Sequence, residues 1–138
     1  MDASVAAKWF LPASGETLIE EAFVLLRRYA KGEIRLLVPD LFWAEFGDLP
    51  WKAARQGRCT RTTAQSALTS LGDRKLPTVS TLALLDTAFA IALAFDRTVC
   101  DSLCVALAVH SKAVLVTADE RLANALAAQL PVKWLGAS

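Results

Sequence analysis

Polar and apolar positions along the chain follow two patterns, helical stripes and short aliphatic runs, and they alternate from one end to the other. Val5 to Phe10 is a short apolar helix closed by Pro12. From Glu16 to Lys31 apolar residues fall at 18, 19, 22, 23, 25, 26 and 29, a helical period. Ser14 is its expected N-cap, with Glu16 and Thr17 in the first turn, and Gly32 its stop. Ile34 to Val38 reads as a strand, and Pro39-Asp40 turns into a helix from Leu41 that ends at Gly57 and is expected to kink at Pro50. Thr60 caps the next helix, Arg61 to about Leu71, and Pro77 to Ser80 is a weak strand. Leu82 to Phe95 is apolar nearly all round, which predicts a buried helix. After the Asp96-Arg97 turn comes an apolar helix that carries Asp101 in its first turn. Ala113 to Val116 follows as a buried parallel strand, then a helix from Asp119 to Ala128, and an edge strand, Val132 to Leu135, after Pro131.

Strands that alternate with helices argue for an α/β fold with a mostly parallel sheet and right-handed crossovers. At 138 residues the chain is expected to form one domain over 1–138. One element is missing from the pattern. Asp2 sits where a carboxylate ends a strand, yet only Met1 precedes it. The expected first strand is therefore truncated, either absent or begun upstream of Met1.

Composition narrows the functional classes. The chain is 54% hydrophobic with mean hydropathy +0.37, high enough to call for helices covered on more than one side or for a subunit interface. No apolar run reaches the roughly 18 uncharged residues of a membrane span, and the start does not read as a signal peptide, so a cytoplasmic location is expected. A net charge of +1 advertises no polyanion partner by itself. Three cysteines without a CxxC pair, and one histidine two turns beyond Cys104, disfavour zinc. There is no GxGxxG after a strand and no GxxxxGK[ST], which disfavours dinucleotide and P-loop nucleotide sites. His110, inside an apolar helix, is poorly placed for a Ser-His-Asp triad.

What remains is a set of acids: Asp2, Glu45, Asp48, Asp101 and Asp119. Singly, three of them are explained as helix caps, where a carboxylate accepts backbone N–H bonds. Glu45 and Asp48 share a helix face at i, i+3 spacing. Together the acids imply more. Carboxylates gathered at one sheet rim repel unless a cation joins them, and an all-oxygen donor set suits Mg²⁺ or Mn²⁺. Paired divalent ions of this kind catalyse phosphodiester hydrolysis. Ser4 and Thr117, each two residues from an Asp, offer hydroxyls to orient the carboxylates or simply to cap. Lys52, Arg55, Arg58 and Arg61 recur every three residues after Glu45, a stripe that a phosphate backbone would meet.

The stretches DASVAAKWFLP (2–12), PDLFWAEFGDLPWKAARQG (39–57), VCDSLCVALA (99–108) and AVLVTADERLANAL (113–126), in that order, resemble PIN-domain ribonucleases, specifically the VapC-like toxins of toxin–antitoxin pairs. The resemblance implies a three-layer α/β/α fold around a mostly parallel sheet of about five strands. It implies Mg²⁺- or Mn²⁺-dependent endoribonuclease activity on RNA, homodimerisation and inhibition by a cognate antitoxin. Asp2, Glu45, Asp101 and Asp119 match the family's metal-holding acids, Ser4 and Thr117 its accompanying hydroxyls. Lys52 and Arg55 are the expected substrate contacts. Departures are the single residue before Asp2, Asp48 and Pro50 where the family shows an amide and small or aliphatic residues, and Cys100 and Cys104 where tyrosines are common. A catalytically weakened PIN-like module that binds RNA or antitoxin is the alternative.

Overall fold

The chain's backbone follows the predicted alternation, with helices dominating. A computed structural model describes residues 1–10 and 17–137. Its elements are α1 (Ala3–Phe10), α2 (Ile19–Ala30), β1 (Val38–Pro39), α3 (Leu41–Arg55), α4 (Arg61–Gly72), β2 (Thr78–Val79), α5 (Thr81–Phe95), α6 (Val99–His110), β3 (Leu115–Thr117), α7 (Glu120–Leu126) and β4 (Val132–Trp134), followed by a 3-10 turn at Leu135–Ala137.

Local chemistry sets most of the boundaries. Thr60, Ser80, Thr98 and Asp119 each cap a helix by accepting a backbone N–H three residues on. Gly32 (φ +75°) and Gly57 (φ +73°) follow α2 and α3 in the left-handed region, where a side chain is strained. The start of α2 differs from the expectation: the helix begins at Ile19 after a left-handed Leu18. The expected cap Ser14, with Pro12 and Glu16, lies outside the described residues. Helix α3 runs on through Pro50 to Arg55, and the proline is buried. Asp40 joins two elements, because its carboxylate accepts from both the backbone N–H and the hydroxyl of Thr81 at the head of α5. Those bonds hold its carboxyl below the usual aspartate range.

The described strands form two separate parallel pairs, β1 with β2 and β3 with β4, instead of one sheet of about five. Ile34 to Val38 was expected as a strand, but only Val38 and Pro39 pair. A strand registers as such only where it has a partner, and no described strand lies against the other edge of β1.

Side chains nevertheless alternate as in a sheet covered on both faces. Leu36, Val38, Val116 and Ala118 join a core with Val5, Ala6 and Trp9 of α1 and with Phe42 and Phe46 of α3. Leu37, Leu115, Val132 and Trp134 join the opposite core, built on Leu84 and Ala88 of α5, Leu103 and Leu107 of α6 and Leu126 of α7. Two apolar cores divided by strands are the layering of an α/β fold. Trp9 anchors α1 to α2 by donating Nε1–H to Ala22 O at 2.7 Å, and the buried Lys8 reaches Thr17 O at 2.8 Å.

The expectation of a buried α5 is overturned. The helix buries Leu84, Ala88, Ile91 and Ala92, but Leu82 is 82% exposed, Phe89 55% and Leu93 72%. Apolar residues on every side of a helix need two covering surfaces, and among the described residues α5 packs chiefly on α6. Among the described residues no helix is long and apolar enough to cross a membrane.

Candidate functional site

Four predicted acids reach one cleft, each delivered by a different element. Asp2 precedes α1, and its backbone carbonyl accepts the N–H of Val5 at 3.3 Å. Glu45 projects from the second turn of α3. Asp101 lies in the first turn of α6, and Asp119 stands between β3 and α7. Together with Ala3, Ser4, Arg97, Cys100 and Cys104 they line a cavity of about 200 Å³.

The serine expected beside Asp2 ties the cleft together. Ser4 Oγ donates to Asp2 Oδ1 at 2.5 Å and accepts from the backbone N–H of Ala118 at 3.2 Å. It thereby pins the first acid to the carboxyl end of β3. Thr117 is fully buried and does something more local: its Oγ1 accepts the backbone N–H of Asp119 at 3.0 Å, shaping the turn that presents that acid. Asp119 commits one oxygen to capping α7, with Oδ1 accepting from Leu122 N at 3.1 Å.

The capping explanation does not hold for Asp101. Thr98 is the cap of α6, and its Oγ1 accepts the backbone N–H of Asp101 at 3.1 Å. Among the described residues no hydrogen bond reaches the Asp101 carboxylate. The same is true of Glu45, and there the acids act on each other. Desolvation raises the Glu45 carboxyl above the usual glutamate range, and the charges of Asp2, Asp101 and Asp48 raise it further. Asp48, one turn along α3, contributes to this field but does not line the cleft.

Lys52 and Arg55 are not brought into the cleft. Both are exposed near the C-terminal end of α3, and the Arg55 guanidinium lies over the Trp51 ring at 5.3 Å from its centroid. Lys52 follows Glu45 by about two turns, or about 10 Å along the axis, which carries the stripe away from the acids. The cation that does line the cleft is Arg97, in the turn before α6. A single arginine in a turn has no periodicity to flag it. Its place four residues before Asp101, at the head of the same helix, was the available signal. Cys100 and Cys104 line the cleft as well, one exposed and one half-buried, and burial pushes the Cys104 thiol up to about 12.

The donor set is carboxylate oxygen, which suits a hard divalent cation. Among the described residues, no three acids, thiols or imidazoles are gathered tightly enough to form a ready cage. Mg²⁺ does not require one, since it keeps several waters and binds through one or two carboxylates. Two carboxylates without hydrogen-bond partners in a cleft of this volume fit such a hydrated ion.

The PIN domain family matches residues 1–126 of the chain. The chain belongs to the PIN-domain family. PIN domains are generally nucleases that use divalent metals, and the α/β layering with acids converging from α1, α3, α6 and the β3–α7 turn is of that kind. No curated protein matches the chain.

Proposed function

We propose that this PIN-domain protein is a Mg²⁺- or Mn²⁺-dependent endoribonuclease, the VapC-like toxin of a toxin–antitoxin pair, acting in the cytoplasm as a single domain over 1–138. The observation that carries this reading is the convergence of Asp2, Glu45, Asp101 and Asp119 on one cleft. Asp101 and Glu45, free of hydrogen bonds among the described residues, are the primary holders of the cation. Asp2, oriented by Ser4, and the second oxygen of Asp119 complete the set. A divalent ion held by these acids would supply positive charge to a phosphate group of the substrate.

The chain's own residues do the remaining work. Arg97 at the cleft wall offers a guanidinium to a phosphate oxygen. Lys52 and Arg55 act outside the cleft, meeting flanking backbone phosphates of the RNA. The exposed stripe Leu82, Leu85, Phe89 and Leu93 on α5 is a surface of the kind buried in subunit contacts and supports homodimerisation.

The alternative is a weakened PIN-like module that keeps RNA or antitoxin binding without turnover. The divided sheet and the absence, among the described residues, of a tight metal cage favour it. RNA cleavage with Mg²⁺ or Mn²⁺, compared between the wild type and Asp101→Asn, separates the two. Asp101 is the right probe because Thr98, not Asp101, caps its helix, so the substitution spares the fold. The nuclease reading expects cleavage that is lost by at least about a hundredfold in the variant and in chelator. Equal background in both proteins would assign the binding role.

A further inference from the structure

Helix α3 buries Phe42, Phe46, Pro50 and Ala53. Its exposed positions, Ala44, Glu45, Asp48, Trp51, Lys52 and Arg55, recur at helical spacing and form one continuous stripe that starts at the acidic cleft. Trp51 is the unexpected member, because it leaves a large apolar ring 56% exposed among charged neighbours. Trp9 and Trp43, by contrast, are buried or half-buried and donate Nε1–H within the fold, to Ala22 O and Thr78 Oγ1. The Trp51 ring does have a contact, since the Arg55 guanidinium one turn on lies over it at 5.3 Å from its centroid. A guanidinium stacked by its face keeps its N–H edge free for a phosphate. Trp51 follows Glu45 by six residues, about 9 Å along the axis. At the stacked spacing of about 3.4 Å per nucleotide, that distance is about three nucleotides from the cleft.

We propose that Trp51, with Arg55 laid on its ring, is a stacking platform for one unpaired base of the RNA strand that enters the acidic cleft; the role rests on the reading of this chain as a protein that acts on RNA. Every base has a π-face that an indole can cover, so such a contact holds the strand without selecting its sequence. The charges around the ring favour nucleic acid over a protein partner. Lys52 and Arg55 flank it, and neither is in an ion pair among the described residues. The exposed apolar stripe on α5 is the contrast: that helix carries no cation and a single charge, Asp86, which is the composition of a protein contact. Asp48, one turn nearer the cleft on the same side of α3, repels a phosphate and can accept a base amino group. Bases, not backbone, are thus favoured over this part of the helix, and Lys52 and Arg55 are left to the phosphates. A base can stack on a side chain only when it is out of a duplex, so the strand is single here.

The test measures binding of the full chain to a short labelled single-stranded RNA and to its duplex, by fluorescence anisotropy without divalent ions. Trp51 lies at the surface, so its variants spare the core. Trp51→Ala is expected to weaken single-strand binding by at least about fivefold and to leave duplex binding unchanged. Trp51→Phe is expected to keep most of the affinity, and Trp51→Leu, which has no π-face, to lose it. Removing the base at one position of the strand is expected to cost the wild type a similar factor and Trp51→Ala nothing. Equal affinity of the wild type and Trp51→Ala would overturn the proposal and leave the ring to a protein partner. Rescue by Trp51→Leu as full as by Trp51→Phe, or an equal loss on strand and duplex, would overturn it as well. Cleavage of the same strand on adding Mg²⁺ scores the nuclease reading separately. A wild type that cuts, beside a Trp51→Ala that binds equally well, refutes the platform alone. A wild type that binds through Trp51 without cutting refutes the nuclease alone, and one that does not bind RNA refutes both.

Discussion

Replacing Glu45 with Gln is expected to stabilise the cation-free protein while weakening its response to divalent ions. Glu45 is partly desolvated and stands in the field of Asp2, Asp101 and Asp48. Each exposed like-charge pair costs about 0.2–0.5 kcal/mol, so three together come to about 1 kcal/mol at low salt. For a chain of 138 residues that corresponds to a rise in Tm of about 2–5 °C. The sign with pH follows from the raised carboxyl. The folded chain holds the Glu45 proton more tightly than the unfolded chain does, so wild-type stability falls as pH rises from the ordinary glutamate range through the raised value. The variant escapes that loss. Its advantage is therefore full at neutral pH and absent below about pH 4, where glutamate is neutral in both states. Thermal denaturation at pH 4 and pH 7, in low and high salt, reads all of this. Added Mg²⁺ is expected to raise the wild-type midpoint more than the variant's, reversing their order. A variant no more stable than wild type at pH 7 and low salt would refute a shared electrostatic field among these acids.

Three further outcomes follow from particular contacts. Thr98→Ala removes the α6 cap and is expected to cost about 1 kcal/mol in denaturant unfolding; an unchanged midpoint would mean the cap is not what starts that helix. Iodoacetamide at pH 8 is expected to label exposed Cys100 far faster than Cys104, whose thiol burial holds near 12; mass spectrometry showing equal rates would contradict the packing of Cys104. Lys52→Gln combined with Arg55→Gln is expected to weaken RNA binding and lower its salt dependence by about one to two units of log–log slope, without changing the cleft acids; an unaltered slope would remove both residues from the RNA path.

How far the sequence could be read depended on how local each cause was. Thr60, Gly32, Gly57 and Asp119 act within a few residues, and the structure places them as their chemistry predicts. The meeting of the four acids was legible for a related reason: three of them lie at or beside helix starts, and such starts gather at one rim of an α/β fold. Properties set by distant partners were not legible. The apolar circumference of α5 predicted burial, but burial needs a second surface, and none of the described residues supplies one. Ile34 to Leu37 have strand character without a strand's partner, so the ladder begins only at Val38. The Lys52–Arg61 stripe was periodic and easy to see, while Arg97, the cation lining the cleft, carried no pattern.

Titration of the metal-free protein with Mn²⁺, followed by the loss of the free ion's electron paramagnetic resonance signal, tests the central claim most directly. Four carboxylates sharing one cleft predict one or two ions bound per chain, with binding lost in Asp101→Asn although that variant keeps its helix content. No binding by the wild type, or equal binding by the variant, would contradict a divalent-cation site at this cleft.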